Sequence, residues 1–452
     1  MPMIQIVIPT HPRSTGTAAC AAALVYLLLV RALRWRRYNA IHKKYTAKYR
    51  AKTLTPEEAQ EVLQVSMLYD MPMLSEYSSA FALYKTYAIP TISRLLLATK
   101  QISSPAMISR RYADTRILIA TWVACPLAGR LVGVESNAPA NDPRASIALA
   151  RTNWLHSKYN ISNDDYLYTL GLFMFEPGTW AERYGWRALS PLEQYASYIY
   201  WSEIGRKMNM KNIPPTAADF RAWIKEYEKG HMVPAESNRD VAEHTTSELL
   251  YPVPARFHTF FEGLTTAMLD DNARVAMMQP PVPHYARYLV RVTLGLVAFV
   301  QRHLLLPRWR PRTIVEVPLP TLDADTQAPR MHPTRWTAKP WYRPRGWYLL
   351  DRLLVLLRWH DDVPRPEYRC EGYRIHEMGP LRFEQDGHEE VMRMAAALQG
   401  CPIVDAWKKT EQATQRQRQR QLPLECLALT DPEESNQASV ELLWTGMARC
   451  YS

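Results

Sequence analysis

The 452-residue chain carries 55 Lys+Arg against 44 Asp+Glu, a net charge of +11, with 22% charged and 47% hydrophobic residues. That balance excludes wholesale disorder and a multi-span membrane protein, and a chain this long buries a large core without disulfide staples. Pro at 34 outnumbers Gly at 16, and no G-x-G-x-x-G or G-x-x-x-x-G-K-[ST] occurs, so a glycine-looped nucleotide binder is not expected.

Residues 17–30 (TAACAAALVYLLLV) form the first feature, a run of 14 without charge. It is shorter than the ~20 residues of an ideal span, but Leu33 and Trp35 extend it if the arginines snorkel. Arg31, Arg34, Arg36 and Arg37 follow it, and only Arg13 precedes it. That asymmetry puts the C-terminal flank in the cytoplasm. A single N-terminal anchor over 17–35 competes with a cleaved signal peptide, whose basic residues belong before the apolar run, and with a buried soluble helix. Residues 1–16 are then a tail and 36–54 a basic juxtamembrane linker.

Helix-start signals follow. Thr55-Pro56-Glu57-Glu58 and Ser190-Pro191-Leu192-Glu193 each combine an N-cap, a first-turn proline and a glutamate at capping-box spacing. Thr216 with Asp219, and Asp142-Pro143, open two more. Helical periodicity runs over 106–124, 143–159, 164–175, 191–208, 239–251 and 257–278. Alternating strand patterns are scarce, and 315–320 is too short to organise a sheet. Residues 55–306 are therefore expected to form one mostly α-helical domain, and the chain is all-α in class.

Two later stretches, 288–306 (YLVRVTLGLVAFVQRHLLL) and 348–359 (YLLDRLLVLLRW), are apolar but interrupted by arginine, the second preceded by Trp341, Tyr342 and Trp347. They fit either an interfacial position at a membrane or two ordinary core helices. Composition changes after Leu306, with Pro307-Arg308-Trp309-Arg310-Pro311-Arg312 and later QRQRQRQ within 410–421. A Pro/Arg-rich C-terminal extension over 307–452, low-complexity and disordered in part, is expected. The positive charge concentrates beside the apolar run and in this extension, without any zinc-finger, recognition-helix or RNP pattern. It points to anionic lipid headgroups, and no nucleic-acid partner is expected.

Six cysteines, at 20, 125, 370, 401, 426 and 450, include no C-x-x-C pair, so the bulk of the chain is expected in a reducing compartment. Neither H-E-x-x-H nor G-x-S-x-G is present. His388-Glu389-Glu390 reads as a solvated charged turn. His156 lies at i+3, i+4 and i+7 from Asn153, Thr152 and Leu149, on a half-apolar helix face. It is either a satisfied core histidine or the single imidazole that a haem iron requires. Arg111, Asp114 and Thr115 share another face at i, i+3 and i+4, as an Arg–Asp pair or as a polar patch turned into a pocket.

Several segments in fixed order resemble the fungal ER-bound oxygenases of the MpaB type, which cleave a prenyl side chain in mycophenolic acid biosynthesis. They are 81–93 (FALYKTYAIPTIS), 111–115 (RYADT), 150–159 (ARTNWLHSKY), 165–173 (DYLYTLGLF) and 186–193 (WRALSPLE). Met232-Val233-Pro234 with Asn238-Arg239, Leu249-Leu250-Tyr251 and Met268-Leu269-Asp270-Asp271 complete the set. The resemblance covers about residues 25–306. That family is similar, more remotely, to the bacterial rubber oxygenases (latex clearing proteins), which are all-α, globin-like haem b proteins that cleave polyisoprene double bonds with dioxygen.

The resemblance implies a globin-like helical oxygenase domain on an N-terminal anchor. It implies haem b as cofactor, with His156 as the iron ligand and Arg151 beside the cofactor. Arg111, Asp114 and Thr115 become catalytic candidates near the distal pocket. The implied partners are O2, a lipophilic prenylated small molecule and membrane lipids. The implied location is the endoplasmic reticulum membrane, single-pass, with the catalytic domain facing the cytoplasm. The implied reaction is oxidative cleavage of a C=C bond in the prenyl chain of a meroterpenoid-type secondary metabolite. A non-haem hydroxylase or oxidative-cyclisation enzyme, and a non-catalytic helical scaffold, are the alternatives. The chain departs from the rubber oxygenases in having Asp114 where they have a lysine before the threonine, and Glu76 is the one candidate for their distal glutamate.

Overall fold

The computed structural model describes residues 12–102, 105–129, 142–250, 253–318, 329–336, 339–358, 362–400, 403 and 407. Helices α1 (Pro12–Arg34) and α2 (Arg36–Ala51) are followed by α3 (Pro56–Gln64), a π-helical turn (Val65–Asp70), α4 (Pro72–Thr86), α5 (Pro90–Ala98) and α6 (Pro105–Ala124). Then come α7 (Arg144–His156), α8 (Asn163–Tyr184), α9 (Pro191–Lys207), α10 (Ala217–His231) and α11 (Glu236–Leu249). The series ends with α12 (His258–Ala267), α13 (Asp271–Ala276), α14 (His284–His303), α15 (Tyr348–Leu356) and α16 (His388–Gln399). No sheet occurs among the described residues, where the one β feature is an isolated antiparallel bridge between Met331 and Tyr373. The class is all-α.

Three of the four predicted starts become side-chain caps, whereas α7 starts after Pro143 without one. Thr55 and Ser190 close capping boxes with Glu58 and Glu193, and Thr216 accepts from the Asp219 N–H. The helix expected over 257–278 divides instead into α12 and α13, because the Asp270 carboxylate accepts the Ala273 N–H at 2.8 Å and starts a new helix.

Helix α1 is long and apolar enough to cross a membrane and is almost entirely exposed, so the buried soluble helix is not what forms. Only its C-terminal end packs inward, through Val30 and Arg34. Within the core, α3 packs on α9, α4 on α8, and α6 on α7. Gln60 holds one junction: its amide nitrogen Nε2 donates to the Cys125 and Trp122 carbonyls at 2.7 and 2.9 Å, ending α6 inside the protein. The Tyr200 hydroxyl also donates to the Trp122 carbonyl at 2.8 Å, so side chains satisfy the carbonyls at this buried helix end.

The boundary expected after Leu306 does not divide the fold. Arg330–Pro402 form one compact unit with Met1–Leu319. Of the aromatics that fitted either an interfacial or a core position, Trp341 and Tyr342 are buried, whereas Trp347 is exposed. His388-Glu389-Glu390 is solvated, with Glu389 and Glu390 exposed, and it forms the first turn of α16, which packs on α7 and accepts the Trp154 indole N–H on Glu390 at 2.8 Å. The second unit comprises Pro320–Pro329 and Ile403–Ser452, and the QRQRQRQ run lies outside the described residues.

Candidate active site

Helices α6 and α7 lie against each other and carry all five candidate residues. On α7, His156 occupies the last turn, with its ring 5.6 Å from that of Tyr166. Its Nδ1 is buried and has no hydrogen-bond partner. Burial, reinforced by the neighbouring Arg111 guanidinium, lowers its pKa to about 4. The imidazole is therefore neutral at physiological pH, the form in which histidine binds a metal. Arg111 reaches this neighbourhood from α6 and also acts on half-buried Tyr87. The Arg111 and Thr115 side chains are half-buried and make no hydrogen bond or ion pair among the described residues.

Asp114 behaves differently. Instead of pairing with Arg111 three residues away, it sits 3.7 Å from Arg110. Its Oδ1 accepts the Tyr342 hydroxyl at 2.6 Å and its Oδ2 accepts the Gly379 N–H at 3.0 Å. Burial pushes the carboxyl above its usual range despite these donors. Asp114 is thus turned toward residues 342–379, away from the expected shared patch with Arg111 and Thr115. Arg110 continues to Glu384 at 3.1 Å, so one buried chain of charges runs from α6 into the C-terminal segment.

Arg151 is fully buried. Its Nε, Nη1 and Nη2 donate to the carbonyls of Met378, Asp386 and Phe383 at 2.7, 2.7 and 2.6 Å. Each guanidinium nitrogen is thereby committed to backbone, which gives Arg151 a scaffold contact where the resemblance implied a cofactor contact. Burial lowers its pKa to about 10, still leaving it cationic. Arg144 anchors the chain in the same way, donating to the Glu316 and Val317 carbonyls at 2.6 and 2.9 Å while paired with Asp142. Glu76 pairs with Arg116 and stands 4.0 Å from Arg335.

Tyr342, Gly379 and Glu384 were missed in the sequence because they lie more than 200 positions from α6 and outside any helical period. The Trp341-Tyr342 doublet was a usable signal, since aromatics with a polar tip seek a partner when buried.

The donor set bears on the implied cofactor. Haem needs one neutral imidazole from the protein, and His156, with an unpartnered buried nitrogen and a suppressed positive charge, suits that use. A protein-held non-haem iron needs several converging ligands. No group of three His, Cys, Asp or Glu able to hold a metal exists among the described residues.

Residues 144–300 match the family described as "ER-bound oxygenase mpaB/B'/Rubber oxygenase, catalytic domain", a span that opens at α7 and closes in α14. The chain is 33% identical over 398 residues to ER-bound oxygenase mpaB' of Penicillium brevicompactum, covering 82% of this chain and 90% of that one. It is 35% identical over 279 residues to ER-bound oxygenase mpaB of Penicillium roqueforti (strain FM164), covering 58% of this chain and 89% of that one. A third relative, ER-bound oxygenase mpaB of Penicillium brevicompactum, is 34% identical over 243 residues, half of this chain and 59% of its own length. A match over 82% of the chain extends past the span 25–306, so part of the region after Leu306 belongs to the length shared with mpaB'. The chain belongs to the ER-bound oxygenase mpaB/B' and rubber oxygenase family and is an oxygenase.

Proposed function

We propose that this oxygenase is haem-dependent and cleaves a C=C bond in the prenyl chain of a lipophilic secondary metabolite. It does so as a single-pass protein of the endoplasmic reticulum membrane with its catalytic domain in the cytoplasm. The observation that carries the reading is His156: a neutral, half-buried imidazole at a helix end, near Arg111, with a buried ring nitrogen that no protein group uses. The mpaB-type names of the relatives support the location, and the apolar α1, ending in Arg31 and Arg34 and followed by Arg36 and Arg37, supports the topology.

Haem b, when bound, supplies the redox chemistry with dioxygen. His156 would hold it, and burial, reinforced by the Arg111 charge, keeps that imidazole unprotonated and available. Arg111 and Thr115, uncommitted to protein partners among the described residues, are the polar groups of α6 free to orient a ligand. Asp114 and Arg151 act one step back, fixing α6 and α7 to the 378–386 segment. The stoichiometry closes without an external reductant: one C=C and one O2 give two carbonyl groups.

The test is the absorption spectrum of detergent-purified protein from haem-supplemented cells. A Soret band that disappears in His156→Ala is expected. No band in the wild type, or a band unchanged in His156→Ala, rejects haem ligation there. Product mass separates cleavage, which shortens the prenyl chain, from hydroxylation, which adds one oxygen.

A further inference from the structure

We propose that α14 is a second membrane-contacting element, lying on the bilayer beside the α1 anchor and seating the catalytic domain against phospholipid. The inference goes beyond the catalytic reading and depends on α1 as the anchor. Helix α14 has two unlike faces. Ala286 and Val290 are buried, and Leu294 joins them against Trp180, Tyr184 and Ala267. The opposite face presents Tyr285, Tyr288, Val292, Leu296 and Phe299, spaced by 3, 4, 4 and 3 residues and each 46–71% exposed. That is one continuous helical stripe of large apolar and aromatic side chains turned outward. Helix α12, packed beside it, adds exposed Phe260 and Phe261. A soluble surface rarely leaves so extended an apolar patch uncovered.

The contact with α1 says what covers it. The Tyr26 hydroxyl donates to the Leu304 carbonyl at 2.8 Å, and Arg34 donates to the Leu305 carbonyl. Arg37 donates to the carbonyls of Arg308 and Trp309. At 1.5 Å per residue, Tyr26 lies about 12 Å along α1 from Arg34, back into the apolar run. Leu304, Leu305 and Leu306, all exposed, therefore stand beside the segment of α1 that would be immersed, and α14 leads away from that level. Exposed Arg291 and Arg302 on the same helix suit anionic headgroups. An apolar stripe continuous with a membrane span, edged by arginine and aromatic residues, matches a bilayer interface.

The full-length chain, carrying a fluorescent noncanonical amino acid at one site, would be reconstituted into phosphatidylcholine–phosphatidylserine vesicles containing doxyl-labelled lipid. The exposed sites Leu296 and Phe299 test α14, Leu24 tests α1, and Glu226, exposed on α10, is the aqueous control. Quenching by doxyl lipid several-fold stronger at 296 and 299 than at 226, with protection from aqueous iodide, is the expected result. Iodide access at 296 and 299 equal to that at 226 overturns the docking face while a quenched Leu24 leaves the anchor standing. Protection from both quenchers also overturns it, assigning the stripe to a second protein copy. Because Leu24 reports the anchor separately, failure of the anchor and failure of the docking face give different patterns.

Discussion

The hydroxyl of Tyr342 donates to the buried carboxylate of Asp114 at 2.6 Å, across a sequence separation of 228 residues. This bond ties the helix that carries Arg111 to a segment outside the span where the family resemblance was first visible. Tyr342→Phe keeps the ring but leaves Asp114 with one donor fewer in a buried site. A loss of about 1–3 kcal/mol is expected. Urea unfolding measures it, and an unchanged midpoint would show that water replaces the hydroxyl at no cost.

Arg151 supports three carbonyls of the 378–386 segment. Arg151→Met should cost about 2–4 kcal/mol, since part-buried carbonyls lose their donors together. The same variant separates scaffold from ligand. Its Soret maximum, measured on the fraction that remains folded, should match the wild type, while His156→Ala removes the band without a comparable fall in thermal midpoint.

Gly387 precedes α16 with φ +73, and a Cβ there would stand 2.2 Å from the Trp154 indole. Gly387→Ala meets both a left-handed backbone and a ring that cannot retreat from α7. A destabilisation of about 1–3 kcal/mol is expected, read as a lower thermal midpoint. A Gly387→Ala protein as stable as wild type would mean that α16 does not bear on α7 in this way.

Arg187 lies buried between Asp70 and Glu193, with Nη2 at 2.7 Å from Asp70 and 2.6 Å from Glu193. Burial works against its charge, but the two carboxylates hold the guanidinium firmly protonated. Arg187→Met leaves two buried acids facing each other at the end of the π-helical turn. The expected cost is about 3–5 kcal/mol, measured by chemical denaturation.

His376 is buried, with Nε2 unpartnered and its ring 4.8 Å from that of His388. Burial first, then His388, Arg374, Arg151 and Arg330, hold its pKa well below the ordinary histidine value. Its neutral form belongs to the folded state, while the unfolded chain takes up a proton below about pH 6.5. The contribution is therefore fully present above that pH and is lost as pH falls below it. His376→Phe should narrow the gap between thermal midpoints measured at neutral and mildly acidic pH, and an identical gap in variant and wild type would exclude His376 as a source of acid lability.

The sequence by itself determined the helical class, most helix starts and the apolar N-terminal helix. Those features are local: a cap is set by residues three apart, and an apolar run needs no partner to be recognised. Even the division of 257–278 was written locally, in the Asp270 cap, although periodicity hid it. His156 and Arg111 were legible as candidates on their helix faces, but their proximity was not, since it depends on how α6 packs on α7. Only the tertiary structure decided that Asp114 turns from Arg111 toward Tyr342, and that Arg151 spends its donors on carbonyls. Backbone carbonyls leave no mark in a sequence, and a buried arginine is spelled like an exposed one. For the same reason the segment 330–400 read as part of a Pro/Arg-rich extension, while burial of Trp341, Tyr342 and the arginines around them makes it part of the unit that holds the candidate site.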